Sequence, residues 1–182
     1  MKKIVTYFCG LAVVFLIFAC DSGAEKREGV AGRLSGDGSR TTSASMLAHF
    51  ALPSALDGTI IDSNEYQGRV RLINFFATWC PPCLEEIPNL IDLENRFGRD
   101  GLSVIGLSVD QGGREKVKKF VKKMKINYPV LMADEKVSSA FGGVSGIPVS
   151  FLVTRDGTLL RRYLGYVDHA VLERDIQEVL QP

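Results

Sequence analysis

Two cysteines in the run Trp79-Cys80-Pro81-Pro82-Cys83 are the residues of this chain best equipped for chemistry. A thiolate is a strong nucleophile, and a second thiol three positions on can take over the bond that the first one forms. A pair this close closes too small a loop to restrict the unfolded chain much, so its use is chemical and not a staple. The chain has four cysteines. Cys9 lies within the apolar N-terminal run and Cys20 closes it, so the several separated pairs of a disulfide scaffold are missing. A strand-like run precedes Cys80 and a helical segment follows it, which places Cys80 near a helix N-cap. Free backbone N–H groups and the positive end of the helix dipole favour a thiolate there, and cysteine pKa values in such settings fall from about 8.5 to roughly 3.5–7.5. Helical spacing puts Cys83 on the same face, within reach of a disulfide, and Pro82 suits an early helical position where a missing N–H costs little. The expected chemistry is exchange. Cys80 opens a disulfide, Cys83 resolves the mixed species, and a reductant restores both thiols.

Half of a zinc or haem site is the competing reading. Zinc needs more Cys or His ligands than His49 and His169, which are isolated in sequence. Haem attachment needs His directly after the second cysteine, where Leu84 stands. No metal and no cofactor beyond the Cys80–Cys83 disulfide is expected.

Glu86 is the third candidate. At 100° per residue from Cys83 it lies at about −60°, between Phe97 near −40° and Leu93 near −80°, whereas Glu85 points to the opposite side. A carboxyl in an apolar arc beside the thiol pair is expected to have a raised pKa and could exchange protons with Cys83. A structural Glu that snorkels to the surface is the alternative. Glu94 falls near +20° on the same reckoning, with its phase blurred by Pro88.

These residues need a scaffold, and the pattern supplies one from Met46 onward. His49-Phe50-Ala51-Leu52 and Thr59-Ile60-Ile61 flank Asp57-Gly58, a hairpin signal, and Ser63 to Gln67 reads as a short helical turn. Val70 to Phe76 is an apolar run of strand length, as a central strand requires. A helix then runs to about Phe97, interrupted by Pro88, which removes a hydrogen bond. Leu102 to Val109 is a second buried strand. Arg114 to Lys125 is an amphipathic helix with Val117, Phe120, Val121 and Met124 at helical spacing, its lysines forming a solvated face. After Pro129 to Met132, left without an element, comes a short helix near Val137 to Phe141. Val149 to Val153 and Leu159 to Tyr166 pair around Asp156-Gly157, and Asp168 caps a last helix. The order β-β-β-α-β-α-β-β-α implies an α/β fold: a mixed central sheet with helices on both faces and an N-terminal β-hairpin.

The composition, 46% hydrophobic and 24% charged, is that of an ordinary globular domain. A net charge of +1 gives no ground for a nucleic-acid partner. The N-terminus reads as an address. Lys2 and Lys3 precede the apolar run Ile4 to Ala19, which is short for a span of roughly 20 residues and suits a secretory signal. Leu16-Ile17-Phe18-Ala19-Cys20 resembles a lipoprotein lipobox, with Phe18 bulkier than usual. On that resemblance residues 1–19 are a signal peptide and Cys20 is lipidated, an uncleaved anchor helix being the alternative. Either way the lysines stay inside and the rest is exported. Residues 20–45, rich in Gly, Ser and Thr, read as a flexible tether to the folded domain at 46–182.

The block Asn74-Phe75-Phe76-Ala77-Thr78-Trp79-Cys80-Pro81-Pro82-Cys83-Leu84-Glu85-Glu86-Ile87-Pro88 resembles the active-site block of the TlpA/ResA family, membrane-tethered thioredoxin-like proteins within the redoxin (AhpC/TSA) group. The likeness implies a thioredoxin fold and a thiol–disulfide oxidoreductase held on the periplasmic or outer side of the cytoplasmic membrane. It also implies an exposed nucleophile at Cys80, a resolving thiol at Cys83 and a functional Glu86, with Asn74 in place of the buried Asp of ordinary thioredoxins. Trp79, Pro81 and Pro82 would meet substrate, together with Ile147 and a cis Pro148 in the Gly146-Ile147-Pro148 loop. The family's electron donors are membrane thiol carriers of the CcdA/DsbD type, and a frequent substrate is apocytochrome c during cytochrome c biogenesis. Two other functions compete. A thiol peroxidase would want Thr-x-x-Cys, a spacing that Thr78 and Cys80 lack. A copper-handling module would want Cys-x-x-x-Cys with a well-placed His, and the cysteine spacing here is one residue short.

Overall fold

Seven successive residues without a strongly polar break, apart from Arg71 and Asn74, can be buried on both faces only at the centre of a covered sheet. Val70–Phe76 does this with every residue buried. The computed structural model describes residues 46–181, so the segments expected to be a signal peptide and a tether, with Cys20, lie outside the described residues. Its elements are β1 (Ala51–Pro53), β2 (Ile60–Asp62), a 3-10 turn (Ser63–Tyr66), β3 (Val70–Phe76), α1 (Pro81–Phe97), β4 (Leu102–Ser108), α2 (Arg114–Met124), β5 (Val130–Met132), α3 (Glu135–Ala140), β6 (Val149–Val153), β7 (Leu159–Leu164) and α4 (His169–Leu180).

The sheet has five strands in the order β5-β4-β3-β6-β7. Its inner pair β3–β4 and the pair β4–β5 are parallel, and β6 and β7 add antiparallel to the other side. Alternation along β3 divides the interior in two. Val70, Leu72 and Phe76 pack with Ile87, Leu90 and Leu93 of α1, Val117 and Val121 of α2, and Leu172 and Ile176 of α4. Ile73 and Phe75 face the other way, against Val137 of α3, Phe141 and the hairpin residues Phe50 and Leu52. Helices on both faces and the hairpin are as the pattern predicts. Asp168 caps α4 by accepting from the Ala170 N–H, and Asp134 does the same for α3 through Val137.

One strand goes beyond the sequence reading. Val130–Met132 forms β5, parallel to β4 over three residue pairs. Three residues are too few to show a period, and only the chain already folded beside them identifies the segment as a strand. Its outer edge is covered in turn, by a bridge between Ser54 and Leu131 and by the Ala55 N–H donating to the Val130 carbonyl. The hairpin thus closes a sheet edge that would otherwise invite pairing with another chain.

Candidate active site

β3 ends at Phe76, and a tight turn hands the chain to α1. The Cys80 N–H donates to the Ala77 carbonyl, and Cys80 itself is the N-cap of α1, with Pro81 and Pro82 following as the first helical positions. Proline fits there because those N–H groups have no intrahelical acceptor. The Cys80 sulfur accepts from the Cys83 N–H at 3.3 Å. A helix-start donor therefore points at the atom that would carry the negative charge, the arrangement that lowers a cysteine pKa. The two cysteines form a disulfide with a Cα separation of 5.3 Å.

The resemblance implies an exposed nucleophile. The structure corrects this: Cys80 is 4% exposed, against 1% for Cys83. The reason is geometric. In the disulfide the Cys80 sulfur turns inward to Cys83, packs among the buried residues around Ala77 and Ile87, and lies 3.8 Å from the Ile147 carbonyl oxygen. That carbonyl belongs to the loop before β6, whose Ile147–Pro148 bond is cis, as the resemblance implies. Pro148 is buried and Ile147 half-buried, while Pro81 and Pro82 are exposed and Trp79 keeps 62% of its surface in solvent. The loop of Ile147 and Pro148 and the turn of Trp79, Pro81 and Pro82 thus flank the disulfide.

Glu86 is 1% exposed, and Glu85 faces solvent. This excludes the snorkelling alternative. Its Oε2 accepts from the Asn74 Nδ2 at 2.8 Å and its Oε1 from the Val167 N–H at 3.2 Å. The Asn74 amide also donates to the Ser150 hydroxyl at 2.9 Å. Burial pushes the Glu86 carboxyl up to about 7, and the two donors offset only part of that rise. A buried carboxyl poised near neutrality, one helical turn from Cys83, is suited to accept and return a proton. Glu94, the other acid in the arc, serves elsewhere. Its Oε2 accepts from the Val104 N–H at 2.8 Å and ties α1 to β4.

Sequence reasoning missed Asp110, the residue that holds the turn. Its carboxylate accepts from the Thr78 N–H at 2.7 Å, the Thr78 hydroxyl at 2.6 Å and the Ser108 hydroxyl at 3.1 Å, with the Lys116 ammonium at 3.3 Å. Burial pushes this carboxyl up, but the donors outweigh it, and the group sits below the ordinary carboxylate range. Both hydrogen-bond donors of Thr78 are thus pinned two residues before the nucleophile. An Asp directly after an apolar strand is the only local signal, and its partner lies 32 residues away.

Comparison with known proteins bears on the fold and the activity. The AhpC/TSA family pattern matches residues 44–162. The thiol-disulfide oxidoreductase ResA of Bacillus cereus is 31% identical over 126 residues, 68% of this chain and 71% of that protein. The thiol:disulfide interchange protein HelX of Rhodobacter capsulatus is 30% identical over 129 residues, 70% of each. Among solved structures, a thiol:disulfide interchange protein of the thioredoxin family from Chlorobium tepidum superposes with a TM-score of 0.70 at 31% identity, covering 76% of this chain and 97% of that one.

Proposed function

This chain belongs to the AhpC/TSA family and is a thioredoxin-fold thiol–disulfide oxidoreductase, and from that premise we propose that it reduces protein disulfides outside the cytoplasm. The observation that carries the reading is the Cys80–Cys83 disulfide at the start of α1, with the buried Glu86 behind it. In the reduced protein the Cys80 thiolate attacks one sulfur of a substrate disulfide, and the other sulfur leaves as a thiolate that takes a proton. Glu86 accepts the proton of the Cys83 thiol. The Cys83 thiolate then attacks the Cys80 sulfur, and the second substrate thiolate is released and protonated. Two electrons and two protons pass to the substrate, and the protein is left with its disulfide. Trp79, Pro81, Pro82, Ile147 and Pro148 form the surface a substrate chain would meet.

A dithiol carrier in the membrane, of the CcdA/DsbD type, would restore the thiols, and apocytochrome c is the substrate class the family likeness suggests. The basic start, apolar run and Cys20 support export and lipid anchoring at the outer face of the cytoplasmic membrane.

The test is trapping. The full chain carrying Cys83→Ser, expressed in its own envelope, should accumulate mixed disulfides through Cys80 that run as discrete, dithiothreitol-sensitive adducts. Adducts with haem-binding Cys-x-x-Cys-His chains would bear out the finer substrate reading. A variant that accumulates no adduct, while the wild type cannot cycle between disulfide and dithiol, would remove the proposal.

A further inference from the structure

Arg71 has no part in the chemistry above. It lies in β3 opposite Ser103 of β4 and Val153 of β6, on the face that also carries Ile73 and Phe75, and it is 5% exposed. Its Nε–H meets no acceptor among the described residues. Its Nη2 donates to the Thr154 carbonyl over a long 3.4 Å. Among the described residues no carboxylate forms an ion pair with its guanidinium. Asp156 is the acid whose field it feels, but that carboxylate is committed to the Thr154 hydroxyl and to the N–H and hydroxyl of Thr158. A buried cation with an unused donor destabilises a fold unless something compensates it.

The setting supplies room for that compensation. Arg71 lines a cavity of about 350 Å³ together with Arg155, Asn64, Gln67, His49 and Asp156. The Arg155 guanidinium donates to the Val179 and Leu180 carbonyls at the end of α4 and not to an acid. His49 is turned to Asp62 at 2.9 Å. Arg71 is therefore the cation of this lining whose head group is not already taken up by close partners. The turn above lies close to the guanidinium: Gly157 has φ +92°, and a Cβ there would stand 3.2 Å from the Met46 methyl and 3.4 Å from the Arg71 Nη2. Arg71 precedes Phe76 by five residues, about 17 Å along a strand, so the cavity lies at the end of β3 remote from the disulfide.

We propose that this cavity binds a small oxyanion of the phosphate or carboxylate class, whose oxygens take the N–H groups at the Nη end of the Arg71 guanidinium, since Nε itself is closed off from solvent. The volume falls within the range of small-ligand pockets. The Asn64 and Gln67 amides at the rim would complete the contacts. The inference does not rest on the redox reading, because the site is separate from the dithiol.

Calorimetric titration of the full chain in its oxidised form tests it, with inorganic phosphate, malonate and glycerol 3-phosphate at an ionic strength held constant with chloride. Saturable binding of at least one anion is expected. It should weaken at least about tenfold in Arg71→Lys, which keeps the charge but loses the planar fork, and it should weaken in Asn64→Ala at the exposed rim. Preference for glycerol 3-phosphate over inorganic phosphate would assign the anion to a lipid headgroup, and equal affinity to a free ion; both support the site. Titrations that never rise above the chloride control, or equal binding by the wild type and an Arg71→Lys variant of unchanged circular dichroism, would overturn it.

Discussion

Replacing Glu86 by Gln removes a buried carboxyl without changing its size, and the consequence for stability can be worked from its surroundings. Burial holds the folded-state pKa at about 7, against an ordinary 4.5, with the Val167 and Asn74 donors opposing the rise. Below pH 4.5 the group keeps its proton in both the folded and the unfolded chain. Between 4.5 and 7 the unfolded chain gives the proton up while the folded chain retains it. The folded state then binds more protons, so stability falls as pH rises through this window and is level above it. A rise from 4.5 to about 7 corresponds to a loss of about 3 kcal/mol. The glutamine of the variant would not titrate. Its amide must present N–H to one of the two donors, a penalty of about 1–3 kcal/mol that is the same at every pH. Urea unfolding of the oxidised wild type and Glu86→Gln, followed across this range, should show the wild type's relative stability declining by about 3 kcal/mol from acid to neutral pH. In the reduced proteins, the pH profile of cysteine alkylation should shift as well. Parallel stability curves, with an unchanged alkylation profile, would refute the assignment of a proton-accepting Glu86.

Asp110→Asn turns an acceptor of three hydrogen bonds into a group that must aim N–H at some of those donors, so unfolding free energy should drop by about 1–3 kcal/mol in denaturant titrations. Because this carboxyl sits below its ordinary 3.8, its contribution is fully present above that pH and is lost as pH falls through the lower folded value. Wild type and variant should therefore converge in acid. Lys116→Met, at a half-exposed partner of Asp110, should change stability by less than about 1 kcal/mol. Trp79→Ala removes a side chain that is largely in solvent. It should leave the melting temperature almost unaltered and lower kcat/KM for a protein disulfide, whereas equal losses with a small disulfide such as oxidised glutathione would show that Trp79 does not contact protein substrates.

Much of the scaffold was legible because its signals are local. The uninterrupted run at Val70–Phe76, the amphipathic spacing in Arg114–Met124 and the Asp168 cap each act within a few residues. Glu86 could be placed in the buried arc of α1 because helical phase holds over the three residues from Cys83. The same reckoning put Glu94, eleven residues on, near that arc, but its partner, the Val104 N–H of β4, was not readable from helical phase. β5 was missed for want of length, since three residues do not establish a period. The expectation of an exposed Cys80 came from resemblance and was corrected by a contact with Ile147, 67 residues away.

The sequence by itself determined the reactive pair and the helix start that activates it, because the spacing of Cys80 and Cys83 and the position of the prolines are properties of one short segment. It also determined which residues had to be buried along each strand. The environment of those residues was decided only by the tertiary structure. Asp110 reaches Thr78, Asn74 and the Val167 N–H reach Glu86, and Arg71 is left with an unused donor under Gly157 because strands far apart in the chain are brought side by side. Burial and hydrogen bonding set the charge a group carries, and both are sums over neighbours that the linear order of residues does not contain.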